Sequence, residues 1–461
     1  MAASSQPLAT MAALRMLTQG GNAADAALTA AAVLCVAEPM STGIGGDLFA
    51  LVWRDGEAAA LDSAGPAPAS ADPGAPVAQH GPRSVTVPGA VGGWAELAEH
   101  YGRRGLDACL APAIGIAERG YAIGATAARL WGETAHAPAE LGPAPRRGDV
   151  IRLPELAATL RGIAAAGPSA FYRGAIAEAI AAATWLEESD LAGFAPRWVE
   201  PLRLAYRGVE VLELPPPTQG VAALEGLGIL DELPPGLASR VRATSLALAD
   251  AREHVRDGAA VGRLLEREYL RRRAQDPARG VPGLADGTVY TCVVDEDGMA
   301  VSLIQSLFDH FGSGVMAPGT GVTLNNRGGS FAVAGEVTPG ARPYHTLIPG
   351  MLLRDGDLLG PFGIMGAFIQ AQAHIQFVSA VVDDGLDPQA ALDRPRFRIE
   401  DDRVQLEPGL WGESETIRSL GLEPVHEPAI TPFGGGQAIF VERGSLVGGS
   451  DGRQDGFAAG Y

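Results

Sequence analysis

Apolar residues recur at helical spacing from the start of the chain. Leu8, Met11, Leu14 and Leu17 share one face of a helix predicted over 6–20, and Gly20-Gly21 ends it. A second predicted helix, 22–37, is so rich in alanine that its backbone suits close packing inside a layered core, and Glu38-Pro39 breaks it. The pattern then switches to a short continuous apolar run, 48–53, which reads as a strand fed by the Gly-rich turn at 41–47. Residues 63–82, rich in Ala, Pro and Gly, read as loop. Helical periodicity returns from 87 to 101, through 105–130, 153–166 and 174–188, and again over 219–275. A connector containing Pro, Gly and Asp follows at 276–286 and is expected to be exposed. Next comes a hairpin of strands 289–294 and 299–307 around the turn 295–298. Strands at 350–354 and 357–363, a helix at 369–384, a strand at 397–405 and strands at 438–442 and 445–449 complete the chain. This alternation argues a layered α/β protein but selects no topology.

Composition narrows the chemistry. At 461 residues, with 47% hydrophobic and 19% charged residues, the chain is globular and well buried. A net charge of −19 argues against a nucleic-acid partner and gives no attraction to anionic membranes. No apolar run reaches the roughly 18 residues of a membrane span, and the opening residues lack a basic leader, so a cytoplasmic location is expected. All 35 basic residues are arginine, which removes lysine Schiff bases and phosphate-loop lysines. Cys35, Cys109 and Cys292 are scattered and form no CxxC, so no disulfide framework is expected, and Cys292 reads as a small buried strand residue. The eight histidines show no HxH or HExxH spacing, so neither a metal site nor another cofactor is expected. The Gly-rich turn at 41–47 is not a phosphate loop, because it precedes a strand instead of opening a helix.

The front edge of the central hairpin carries the candidate chemistry. Thr288 follows Gly287 directly at the mouth of an apolar strand. If the Gly287–Thr288 bond were cut, Thr288 would own both a hydroxyl and a free α-amine. Such an amine, with a pKa of roughly 7.7–8.0, takes up a proton from its own hydroxyl near neutral pH. Gly287 tolerates backbone angles closed to other residues, which helps a strained bond suffer attack. The plain alternative for Gly-Thr is an ordinary strand start. A rival motif, Gly448-Gly449-Ser450-Asp451-Gly452, fits GxSxG, but that class orders its triad Ser, acid, His, and the last histidine, His426, lies upstream of Ser450.

The surroundings of Thr288 favour the first reading. The run Thr-Val-Tyr-Thr-Cys-Val-Val-Asp-Glu-Asp-Gly-Met-Ala-Val-Ser from Thr288, then Phe-Gly-Ser-Gly, then Pro-Gly-Thr-Gly-Val-Thr-Leu-Asn-Asn at 318–326 closely resembles the γ-glutamyltransferase family of N-terminal nucleophile hydrolases. Blocks at 5–9, 19–27, 38–46, 171–174 and 214–218 also match, so the resemblance spans nearly the whole chain and is loosest over its middle third. It implies a four-layer αββα sandwich of two mostly antiparallel sheets between helical layers. It also implies one composite folding unit that cleaves itself into pieces 1–287 and 288–461, paired as a heterodimer that could itself dimerise.

The resemblance assigns roles residue by residue. Thr288 is the nucleophile, Ser306 on the facing strand orients it, and Gly366-Ala367 matches the Gly-Gly pair whose N–H groups stabilise the oxyanion; an alanine there restricts the backbone. The plain alternative for Ser306 is a satisfied strand serine, and Gly366 could be a turn glycine. The substrate pocket departs from the family. The segment 61–69, which should supply an arginine for the glutamate α-carboxylate, has none. Ser330 stands where an acid grips the α-amine, His345 and Thr346 stand where two serines assist the carboxylate, and Phe308 replaces an asparagine. Each loss removes a partner worth about 1.5–3 kcal/mol. Glutathione is therefore not the expected substrate, and the chain looks closer to an acylase-like and oxamate amidohydrolase-like branch acting on a small-molecule amide. Arg327, His345 and Thr346 are the expected substrate contacts, against plain readings of His345 as a satisfied buried histidine and Arg327 as a surface arginine. The rival to an autoprocessed amidase or acyl transferase is a catalytically silent relative that only binds.

Overall fold

A computed structural model describes residues 1–283, 287–429 and 431–461. Thirteen strands build two large sheets: β1 Ala2–Ser4, β2 Asp47–Arg54, β3 Glu57–Ser63, β4 Arg197–Val199, β5 Leu202–Tyr206, β6 Val209–Glu213, β7 Val289–Val294, β8 Ala300–Ser306, β9 Gly350–Arg354, β10 Asp357–Met365, β11 Gly435–Glu442, β12 Ser445–Ser450 and β13 Phe457–Ala459. The first sheet runs β13-β1-β7-β8-β2-β3-β4 and the second β12-β11-β10-β9-β6-β5, with antiparallel pairs throughout.

Side-chain alternation along these strands dictates the layering. Phe49, Leu51, Tyr290, Cys292 and Ile304 from the first sheet meet Leu212, Met351, Met365 and Ile439 from the second in one buried cluster between the sheets. The opposite face of the first sheet, with Leu48, Ala50, Val289, Val301 and Leu303, packs on helices α1 (Pro7–Thr18) and α2 (Ala23–Ala37), with α3 (Gly105–Arg119) stacked on α2 and α4 (Pro154–Ala166) on α3. The opposite face of the second, with Val211, Leu352, Phe362 and Phe440, packs on α5 (Gly220–Asp231), α6 (Leu237–His254) and α7 (Ile369–Asp383). The result is the expected αββα sandwich. Every residue of α2 is buried, and Asn22 and Asp25 close a reciprocal capping box at its start. No helix among the described residues is long and apolar enough to cross a membrane.

Several expectations need correction. The predicted strand 397–405 is a hairpin, Phe397–Glu400 and Arg403–Leu406, turned at Asp401. The helical stretch 105–130 breaks after Arg119 and resumes at Ala125. Strands β3 to β6 have no counterpart in the apolar pattern. The connector is not exposed throughout, since Val281 is buried and bridges Asp401; its residues 284–286 lie outside the described ones. All three cysteines are buried and free, Cys292 in mid-strand as expected.

Candidate active site

Thr288 stands immediately before β7, and Ser306 ends β8, the adjacent antiparallel strand. The two hydroxyls converge on one atom. Thr288 Oγ1 donates to the carbonyl oxygen of Gly287 at 2.6 Å, and Ser306 Oγ donates to that same oxygen. The hydroxyls themselves lie 3.4 Å apart. Ser306 Oγ in turn accepts from Phe308 N at 2.7 Å, which fixes its rotamer. Gly287 has φ +153°, an angle that favours glycine, and a Cβ there would meet Phe308 O at 2.6 Å. The Gly-rich turn before β2 has a matching reason: a Cβ on Gly46 would meet Ser306 O at 2.2 Å. Its glycines thus let one backbone lie directly on the end of β8.

The other side of Thr288 is the start of α7. Gln370 Nε2 donates to Thr288 Oγ1 at 3.4 Å, while Gln370 Oε1 accepts from Ile348 N at 3.1 Å. Gly366 and Ala367 join β10 to α7, with φ +118° and +51°. The Gly366-Ala367 corner therefore leads into the first turn of the helix that contacts Thr288, and the positive end of a helix dipole favours developing negative charge. Gln219 Nε2 ties this corner to the next segment, donating to Ala367 O at 3.2 Å and to Thr346 O at 2.9 Å.

Beyond Phe308 lies a buried polar cluster. Arg327 is only 1% exposed, not a surface arginine. Its Nη1 donates to Thr346 Oγ1 at 3.2 Å, and its guanidinium lies over the Phe308 ring, 4.0 Å from the centroid. Burial lowers its pKa to about 10. Ser330 is fully buried in the same 3-10 turn, Arg327–Val333. His345 follows the plain alternative: Nε2 meets Asp47 Oδ2 at 3.2 Å and Nδ1 accepts from Leu347 N at 3.2 Å, so both ring nitrogens are used. Burial, then the nearby Arg327 charge, holds its pKa well below the usual imidazole range. Asp47 sits across from Ser306 in the β2–β8 register. Burial pushes its carboxyl up to about 7 against the pull of Arg327.

Thr288 and Ser306 thus meet on the Gly287 carbonyl, Gln219 ties the Gly366-Ala367 corner to Thr346, and Arg327, Thr346 and His345 belong to the buried cluster around Phe308 and Asp47, with Ser330 in the same 3-10 turn as Arg327. Asp47, Gln219 and Gln370 escaped the sequence reading. Asp47 had one available signal, an acid directly after Gly45-Gly46 at the mouth of an apolar strand. Segment 61–69 brings no arginine; its Asp62 is buried and paired with Arg197 at 2.7 Å. Ser450 ends β12, and Asp451 is held by Arg396 at 2.6 Å and Arg453 at 3.0 Å; no hydrogen bond of theirs among the described residues reaches Thr288.

Comparison with known proteins finds similar sequences and folds along the whole chain. The family model described as Gamma-glutamyltranspeptidase matches residues 9–461. The chain is 34% identical over 522 residues to the oxamate amidohydrolase proenzyme of Klebsiella pneumoniae subsp. pneumoniae, covering 100% of this chain and 98% of that protein. It is 30% identical to the acylase ACY 1 proenzyme of Pseudomonas sp. (strain V22), covering 99% and 92%. Among solved structures, the cephalosporin acylase from Bacillus halodurans superposes with a TM-score of 0.93 at 38% identity, covering 100% of this chain and 95% of that one.

Proposed function

We propose, from the premise that this chain belongs to the gamma-glutamyltranspeptidase family of self-processing amide hydrolases and acyl transferases, that Thr288 is its nucleophile and Gly287–Thr288 its cleavage site. One observation carries the reading: the Thr288 and Ser306 hydroxyls meet on the Gly287 carbonyl oxygen. Ser306 polarises that carbonyl, and Thr288 Oγ1 attacks its carbon. The C–N bond breaks, the nitrogen takes the hydroxyl proton, and an ester remains. Water hydrolyses the ester to a Gly287 carboxylate and the free Thr288 hydroxyl, beside the amine released when the C–N bond broke. The freed amine then serves as base while Oγ1 attacks a substrate amide, with the Gly366-Ala367 corner and α7 stabilising the oxyanion. A typical oxyanion donor contributes about 10²–10³ in rate. The acyl group passes from Thr288 to water or an amine.

The substrate is a small acyl amide of the kind named in the relatives, an oxamate or an acylated cephalosporin nucleus, in preference to a γ-glutamyl compound. Ser330 in place of an acid, and the lack of arginine over 61–69, support that preference. The two pieces, 1–287 and 288–461, remain paired.

The first expected outcome is direct. The purified protein runs as two bands on a denaturing gel, and Thr288→Ala runs as one and loses amide turnover. An intact wild-type chain that still hydrolyses an amide would sink the reading. Mass spectrometry of the smaller band checks that it begins at Thr288. Robust turnover of a γ-glutamyl anilide would defeat the substrate preference alone.

A further inference from the structure

We propose that a cavity separate from the Thr288 site, between the helix Ala125–Glu133, the start of α4 and the loop 316–321, binds a small carboxylic acid with an aromatic or aliphatic body. The cavity holds about 560 Å³, within the roughly 300–1,000 Å³ of small-molecule pockets. None of its lining residues belongs to the clusters around Thr288 and Asp47, so the proposal does not depend on the nucleophile reading. Its walls are mainly apolar, with Trp131, Leu141, Ile151, Leu153, Leu156 and Met316 among them. Val150, also on the lining, is 55% exposed, so apolar surface there is left open to water.

The unmatched groups of the inner wall are donors. Trp131 is 3% exposed, and its indole N–H is buried with no hydrogen-bond partner. An indole nitrogen can only donate. Buried donors are left unmade at a cost, and folded proteins leave few of them. The second set of donors is the start of α4. Leu153 to Leu156 line the cavity, and Leu153, at the N-cap position, supplies no side-chain cap. Ala157 N is the first to find a backbone partner, Leu153 O at 2.9 Å. Pro154 has no N–H, so the N–H groups of Glu155 and Leu156 wait for an outside acceptor at the positive end of a 13-residue helix. Gly321, on the lining, keeps the space beside them clear, since a Cβ there would stand 2.5 Å from Leu156 N.

Charge selects among acceptors. Glu140, Arg152 and Glu155 line the cavity, all three exposed and none in an ion pair among the described residues. Arg152, one residue before the N-cap, is the cation of the lining and draws an anion toward the helix start, while the two acids stay in water, where salt screens them. A carboxylate therefore suits the indole and the helix start alike, and the apolar walls take the rest of the molecule. An alcohol of the same shape gives the indole an acceptor but gains nothing from the helix dipole. An amine would meet donors.

The test titrates the purified protein with phenylbutyrate and, separately, with phenylbutanol, which share ring and chain and differ in charge. Calorimetry gives the affinities, and proton–nitrogen NMR follows the six indole N–H signals, with Trp131→Phe identifying the one that matters. The Trp131 signal is expected to move as the acid is added. The acid should bind at least about 10-fold more tightly than the alcohol, and Trp131→Phe should weaken it at least about 5-fold. Arg152→Gln, at an exposed position, should weaken the acid and leave the alcohol unchanged. Thermal unfolding reports whether Trp131→Phe has folded; if it has not, the two wild-type affinities and Arg152→Gln decide. Equal binding of acid and alcohol, no binding of the acid up to about 10 mM, or acid binding that leaves the Trp131 signal still would overturn the site.

Discussion

Asp47 and Ala367 show what single positions contribute around Thr288. Asp47 faces Arg327, His345, the Gly65 N–H and, at longer range, the Asp62 charge. Its folded pKa, about 7, lies above its unfolded value, so the folded state holds the proton more tightly. Its contribution to stability is therefore greatest in acid and is lost as pH rises through about 7. Asp47→Asn stays neutral at every pH. The stability of the variant relative to wild type should climb from acid up to about pH 7 and then level off, as read from urea unfolding at several pH values. A gap that does not change with pH would show the carboxyl to be unperturbed. Ala367 sits at φ +51°, where a Cβ costs roughly 1–2 kcal/mol. Ala367→Gly should raise stability by about 0.5–1 kcal/mol, less than the full strain because glycine also frees the unfolded chain. Thermal unfolding checks it.

Helix α7 is the element that sets the far wall of the site, and it is fastened from behind. His374 Nδ1 meets Glu213 Oε1 at 2.6 Å while its Nε2 accepts from Ile364 N at 3.2 Å, all fully buried. One side chain thus pins α7 to both β6 and β10. Glu213→Ala strands a buried imidazole N–H, at about 1–3 kcal/mol. It is expected to lower kcat more than it raises KM, because the helix carries Gln370 and follows directly on the proposed oxyanion corner. A steady-state series with one amide reads that split; unchanged kcat would mean the pin serves stability alone. Elements also show where sequence reasoning reached its limit. The hairpin β7–β8, α2 and α7 were legible because apolar residues or alanine run through them at one clear period. Strand β3 was not, since Glu-Ala-Ala-Ala-Leu-Asp-Ser carries no β-branched or aromatic residue. Strand β5 alternates Leu with Arg and Ala at a sheet edge, and tertiary pairing makes it a strand. The turn at Asp401 takes φ +53° without a glycine, so the break between its two strands left no mark. At the site, Thr288 and Ser306 were legible from the resemblance. Asp47 meets His345, 298 positions away along the chain, and no local pattern encodes such a contact.

The whole molecule interleaves its two parts. In the first sheet β1, β2, β3 and β4 come from before the proposed cleavage site and β7, β8 and β13 from after it; β1 lies between β7 and β13. The second sheet mixes β5 and β6 with β9 to β12 in the same way. Cutting one bond therefore opens no seam. The two pieces should co-elute in native size-exclusion chromatography and separate only in denaturant; separate native peaks would contradict the pairing.

The place of β1 has a consequence in time. Residues 2–4 are made long before residues 457–459, yet one of the two strands they join comes from that late stretch. A nascent chain cannot complete that sheet before residues 457–459 have emerged, so the proposed self-cleavage is expected to follow their synthesis.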